Sequence, residues 1–190
     1  MKYVLVYGGL SGLFIILVIM ASLFLIPAGS SFSHSMWFGY LIMLVGMTFI
    51  FVGVKRYRDV ERGGIIRFLP AFGLGLGIAI VAGIIYVAVW EAYLAATGYR
   101  FIDQYIASIV QHHQAAGASA AELAHEQASL ESLRASYANP LFRIPMTFLE
   151  IFPVGLLVAL VSAALLRNPR LLPATRGAPS VSAPPSTAEG

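Results

Sequence analysis

The sequence contains no cysteine and few charged residues. Of its 190 residues, 58% are hydrophobic and 11% are charged. The lack of cysteine excludes disulfides, thiolate nucleophiles and cysteine-ligated metal or haem centres. The shortage of charge excludes an ordinary soluble domain, in which about 25% of the residues are charged. The composition is instead typical of a membrane protein.

Long apolar runs occupy most of the chain. They lie at residues 4–26, 36–54, 68–98 and 144–166, and about 20 mainly apolar residues suffice for a helix to cross a bilayer. The first run is longer than the apolar core of a signal peptide and no clear cleavage site follows it, so we expect a retained span. The sequence therefore predicts an all-α, polytopic membrane protein with four transmembrane helices.

Basic residues are unevenly distributed between the predicted loops. Of the twelve lysines and arginines, one precedes the first run, none lies in the first loop, five lie in the second, three lie between the last two runs and three follow. This bias predicts that both termini and the second loop are cytoplasmic. Because most basic residues flank apolar runs, the net charge of +3 is not interpreted as nucleic-acid binding. The predicted basic loop contains Lys55, Arg56, Arg58, Arg62 and Arg67.

A polar segment, Tyr99 to Arg143, separates the third run from the fourth, and its part 99–142 is amphipathic. Apolar residues recur at helical spacing on both sides of Gly117, which predicts an external helical hairpin. Residues 171–190 are rich in proline, alanine and serine and lack apolar periodicity, which predicts a disordered cytoplasmic tail. We therefore predict one membrane domain over residues 1–170.

Two carboxylates lie within the apolar runs. Glu91 is in the third run and Glu150 in the fourth, and antiparallel spans would place both toward the same membrane face. Two neighbouring carboxylates at low dielectric do not both ionise readily, so this pair suggests a proton or cation site. Pro153 removes a helical hydrogen bond beside Glu150 and predicts a kink. Alternatively, Glu91 lies at headgroup level and Glu150 bonds a hydroxyl or extends toward water.

Glycines at four-residue spacing indicate candidate helix contacts. Gly8 and Gly12 lie in the first run, and Gly73 and Gly77 lie in the third. Small residues at this spacing let transmembrane backbones approach closely. We expect these four positions to contribute to helix packing.

Polar residues near the hairpin turn form a weak candidate metal site. His112, His113, Glu122 and His125 supply imidazole and carboxylate groups, which are ordinary zinc ligands. Their spacing matches no metal-binding motif, and solvated helix faces are the alternative interpretation. We predict no cofactor.

Three segments allow comparison with a known family. They are FVGVKRYRD at 51–59, WE at 90–91, and NPLFR at 139–143 followed by MTFLEIFPVG at 146–155. Together they resemble a bacterial family of integral membrane proteins, domain-of-unknown-function family 4199. The resemblance implies four spans in a bacterial inner membrane and implies no activity. It directs attention to Tyr57, Arg58, Glu91, Glu150 and Pro153.

The sequence offers no identifiable pair of nucleophile and base. We therefore expect a non-enzymatic accessory protein or oligomeric membrane scaffold, embedded in the lipid bilayer. Its expected partners are a second copy of the chain or other membrane proteins. The alternative is a small oligomeric transporter coupled to protons or cations through Glu91 and Glu150.

Overall fold

Helices account for all the regular structure in the described part of the chain. The computed structural model describes residues 1–25, 36–117 and 119–173, without the side chains of residues 24, 36 and 120–126. No strand occurs in these ranges, so the all-α prediction is confirmed there. The helices are α1 (Lys2–Leu25), α2 (Met36–Glu61), α3 (Phe68–Ala96), α4 (Phe101–Ala115), α5 (Ala120–Tyr137) and α6 (Pro140–Leu166).

Four of these helices are long and apolar enough to cross a membrane, namely α1, α2, α3 and α6. Both α1 and α6 pack against α2 and α3. An ion pair between Lys2 and Glu61 places the start of α1 beside the end of α2. A second pair, Glu91 with Arg143, places the end of α3 beside the start of α6. The spans therefore alternate in direction.

Two spans extend into polar sequence beyond the predicted apolar runs. The second span was expected to end before Lys55, but α2 continues to Glu61. Three residues of the predicted basic loop, Lys55, Arg56 and Arg58, consequently lie in the last turns of a helix. The loop that remains before α3 is short and contains Arg62 and Arg67.

The fourth span begins earlier than its apolar run. The side chain of Asn139 accepts a hydrogen bond from the Leu141 amide at 3.0 Å, and Pro140 occupies the first helical position. Both features favour a helix start. Arg143, which we assigned to the preceding polar segment, therefore lies in the first turn of α6.

Glycines set how closely three of the spans approach one another. A Cβ atom at Gly12 would lie 2.6 Å from the Ala82 carbonyl oxygen, and one at Gly75 would lie 3.0 Å from the Ala159 Cβ. A Cβ at Gly73 would have no atom within 4 Å among the described residues. A Cβ at Gly8 would lie 2.6 Å from the Val81 Cβ, and one at Gly77 would lie 3.3 Å from the Val4 Cγ2. Gly8, Gly12 and Gly77 therefore lie at helix contacts, whereas Gly73 does not, and Gly75 adds a contact that we did not expect.

Helices α4 and α5 form the predicted helical pair between α3 and α6. They pack against each other, and Arg134 on α5 forms a 2.7 Å ion pair with Asp103 on α4. Gly117 turns the chain between them with a φ of +82°, which glycine adopts without steric cost. The external location of this pair is a proposal, discussed below.

Candidate functional site

A buried ion pair joins the end of α3 to the start of α6. The Arg143 Nε donates to Glu91 Oε1 at 2.7 Å, and its Nη2 donates to Oε2 at 2.6 Å. The Arg143 side chain is 3% exposed and that of Glu91 is 21% exposed. Two parallel hydrogen bonds fix orientation as well as distance. The pair therefore holds α3 and α6 in a defined relation at this end of the bundle.

The same guanidinium connects the spans to α5. Its Nη1 donates to the Tyr137 carbonyl oxygen at 3.0 Å. The guanidinium also lies 5.0 Å from the ring centroid of Tyr99 and 5.7 Å from that of Tyr137, within the range of cation–π attraction. Arg143 thus contacts both the α3–α4 corner and the end of α5.

A second link between α3 and α5 comes from Trp90. Its Nε1 donates to the Tyr137 hydroxyl at 2.9 Å, and its ring meets that of Phe101 edge-on at 4.8 Å. Burial raises the pKa of Tyr137 above its ordinary value, because a phenolate is poorly solvated there. The hydroxyl therefore stays protonated at neutral pH.

The packing of α3 against α6 brings the ionic groups together. A Cβ at Gly83 would lie 2.6 Å from the Phe148 ring, and one at Gly155 would lie 2.9 Å from the Ala79 Cβ. Small residues on both helices therefore allow close contact between them. This close contact lets Arg143 reach Glu91, although the two are 52 residues apart in the chain.

Comparison with models of protein families identifies the family of this chain. A family model described as a protein of unknown function (DUF4199) matches residues 6–168. The chain belongs to this family. The matched region contains the ion pair and all of α2 to α6. No curated protein and no solved structure matches the chain.

The second intramembrane carboxylate of this DUF4199 chain has no ion-pair partner among the described residues. Glu150 is exposed on α6, and no hydrogen bond or ion pair formed within the described ranges includes it. The ion-pair partner of Glu91 is Arg143, and the hypothesis that Glu91 and Glu150 share a site stays a prediction. Arg143 precedes Glu150 by seven residues, or about 10 Å along a helix.

Two other predicted features are located on the helices. Pro153 is inside α6, and the helix continues through it to Leu166; the Leu149 carbonyl consequently lacks its usual amide partner. On α4, the rings of His112 and His113 are 6.0 Å apart. The side chains of Glu122 and His125 lie outside the described residues. No group of three or more candidate metal ligands occurs among those described.

A second buried arginine lies at the opposite end of the DUF4199 bundle. Arg58 has an exposed fraction of 0% and pairs with Asp59 at 2.7 Å. Its Nη1 donates to the Leu171 carbonyl oxygen at 3.1 Å, and its Nη2 donates to the Leu172 carbonyl oxygen. Arg58 therefore fixes the chain that follows α6, and the described part of the predicted tail is folded as far as this contact. Residues 174–190 lie outside the described residues.

Reasoning from the sequence missed the roles of both arginines. We interpreted Arg143 as the end of a loop and Arg58 as one of several topology-determining charges. The resemblance did single out the segments around both residues, at 51–59 and 139–143. In contrast to Arg58, its neighbours Arg56, Arg62 and Arg67 are exposed.

Proposed function

We propose that this protein is a non-enzymatic accessory protein of the bacterial inner membrane, in which four spans hold α4 and α5 in position to contact a protein partner. The Arg143–Glu91 pair is the observation that carries this proposal. Ionisable residues within spans are costly and are retained where they pair or serve a function. Here Glu91 and Arg143 bind each other and join α3 to α6.

The contacts of Arg143 support a structural use of the pair. Three of the five N–H donors of its guanidinium are engaged, two by Glu91 and one by the Tyr137 carbonyl oxygen. A carboxylate held by two charge-assisted bonds is poorly placed to exchange protons with a substrate. This arrangement favours a scaffold over an acid–base site.

The surface of α4 supports contact with a partner. None of its residues is fully buried, although its apolar residues lie mainly on one side. Tyr105, for example, is 45% exposed. An amphipathic helix gains stability by covering its apolar side. A second copy of the chain is the partner that we propose, since it is available wherever the protein is made.

Crosslinking tests this proposal, and the lack of native cysteine makes single-cysteine variants unambiguous. Ile109→Cys places a thiol on the apolar side of α4, and Gln111→Cys places one on its exposed polar side. With a short bis-maleimide in native membranes, we expect a discrete dimer band from Ile109→Cys and little from Gln111→Cys. Monomers alone from both variants, with native mass spectrometry in mild detergent also showing monomers, would contradict the proposal. If Ile109→Cys crosslinks only to a different protein, a second copy of the chain is not the partner.

A transporter coupled to protons or cations is the second candidate, and the position of Glu150 favours it. This carboxylate is exposed within a span, where an unpaired ionisable group usually indicates a function. The transporter hypothesis predicts that Glu150→Gln abolishes a pH-dependent ion flux in proteoliposomes while insertion is unchanged. Because Glu91 is engaged by Arg143, Glu91→Gln should mainly affect folding. The absence of flux from the wild-type protein would leave the scaffold as the better explanation.

A further inference from the structure

A cavity of about 440 Å³ lies beside the ion pair, between the α3–α4 corner and the α5–α6 corner. Cavities of roughly 300–1,000 Å³ are typical of small-molecule sites. The polar and aromatic residues in its wall are Tyr99, Asp103, Arg134, Tyr137 and Arg143. We propose that this cavity binds a zwitterionic group that carries both a phosphate and an ammonium, as in the headgroup of an aminophospholipid.

Two guanidinium groups supply the phosphate side of the site. Arg143 is almost wholly buried, and its contacts with Glu91 and Tyr137 leave one N–H on each terminal nitrogen without a described acceptor. Arg134 is half-exposed; its Nη2 lies 2.7 Å from Asp103 Oδ1, and its Nη1 lies 3.6 Å from Glu131 Oε2, which is beyond hydrogen-bond distance. Guanidinium N–H groups match the oxygens of a phosphate in geometry and charge. Both guanidinium groups therefore retain N–H donors for hydrogen bonds to a phosphate.

Acidic and aromatic groups supply the ammonium side. The Asp103 carboxylate is half-exposed, and it lines the same cavity as the rings of Tyr99 and Tyr137. A carboxylate and the electron-rich face of an aromatic ring both attract an ammonium group. The charges of Arg134 and Arg143 are more than balanced by Asp103, Glu131 and Glu91, so the cluster carries no excess positive charge. A net-neutral zwitterion therefore fits this site better than a simple anion.

The location of the cavity identifies a lipid as the source of the headgroup. Pro140, which begins the fourth span, lines the cavity. The cavity is therefore at the end of a span, where lipid headgroups lie. The adjoining surface of α6 is apolar: Leu141 is 85% exposed and Phe142 is 43% exposed. Acyl chains would cover this surface while the headgroup occupies the cavity. Ile102 of α4 also lines the cavity, so the site adjoins the apolar side of α4 that we propose for the partner.

Lipid binding to the full chain in mild detergent tests this inference. Native mass spectrometry would measure the dissociation constant of short-chain phosphatidylethanolamine, with phosphatidylglycerol and soluble phosphoethanolamine as comparisons. We expect phosphatidylethanolamine to bind more tightly than phosphatidylglycerol. Arg134→Gln and Asp103→Asn should each weaken its binding by about tenfold, as expected for the loss of one charge-assisted hydrogen bond. Both side chains are half-exposed, so the fold should tolerate either change.

The matched control is Arg100→Gln, which removes an exposed arginine near the same corner but outside the cavity wall. This variant should bind phosphatidylethanolamine like the wild type. Equal weakening by Arg100→Gln and Arg134→Gln, or tighter binding of phosphatidylglycerol, would overturn the proposal. Equal affinity for soluble phosphoethanolamine would support the headgroup chemistry and identify a free solute as its source.

Discussion

At the scale of single residues, Arg143 connects three helices. Its guanidinium contacts Glu91 on α3 and the backbone and ring of Tyr137 on α5, while its own backbone belongs to α6. Removing one partner of a buried ion pair leaves an uncompensated charge, which costs more than the intact pair contributes. A substitution that removes the charge of Glu91 should therefore destabilise the protein more than the intact pair stabilises it.

Glu91→Gln is expected to lower the free energy of unfolding by about 3 kcal/mol, because the Arg143 charge would stay buried without its partner. Glu150→Gln is the control, since it changes a carboxylate without a described partner and should not lower the free energy of unfolding, because a neutral amide is less costly than a carboxylate within a span. Denaturant unfolding in mild detergent, followed by tryptophan fluorescence, measures both. Equal stability of the two variants would show that the ion pair does not hold the helices.

The contacts of Arg58 predict that its substitution loosens the chain after α6, at the other end of the bundle. Arg58→Ala removes two hydrogen bonds to the chain after α6, so that segment should open more often. We expect trypsin to cleave after Arg170 about tenfold faster, because cleavage follows the population of the open form. Arg56→Ala removes an exposed arginine of the same helix and should leave the rate unchanged. Intact-mass analysis of limited digests would detect the product, and equal rates in both variants would contradict this role.

At the scale of helices, the sequence predicted the number and type of spans better than their ends. Hydropathy decreases at the first charged residue, so α2 was expected to stop before Lys55 and α6 to start after Arg143. In the structure both helices continue, because the charges pair at the end of the bundle: Lys55 with Asp59 and Arg143 with Glu91. An ion pair between residues that are far apart in the sequence leaves no pattern in local residue spacing, which is why the Glu91–Arg143 contact was missed.

Glycine spacing likewise identified candidate contacts without identifying which face is used. The steric surroundings of Gly12 and Gly73 lead to opposite expectations. At Gly12, an added methyl group would lie 2.6 Å from a backbone oxygen of α3, so Gly12→Ala should destabilise the protein by about 1–3 kcal/mol through overpacking.

At Gly73, an added methyl group would meet no described atom within 4 Å. Gly73→Ala should therefore leave stability unchanged or raise it by up to about 1 kcal/mol, because alanine favours the helix. The two free energies of unfolding would be compared in the same detergent. A loss at Gly73 as large as that at Gly12 would indicate that α3 also packs through Gly73.

At the scale of the whole molecule, charge is divided between the two ends of the bundle. The end that contains the start of α1 carries many basic side chains, of which Asp59 and Glu61 neutralise only some. These basic residues are Lys2, Lys55, Arg56, Arg58, Arg62, Arg67, Arg167 and Arg170. The opposite end carries Arg100, Arg134 and Arg143 together with most of the acidic residues of the spans and hairpin.

This division predicts the orientation of the protein in the membrane. Short loops rich in lysine and arginine remain in the cytoplasm, so the loop after α2 should be inside and α4 outside. Ile65→Cys and Gln111→Cys place single thiols at exposed positions at the two ends. In intact cells, a membrane-impermeant maleimide should label Gln111→Cys, and it should label Ile65→Cys only after permeabilisation. The reverse pattern would place the basic end outside and α4 in the cytoplasm, which would contradict the predicted orientation.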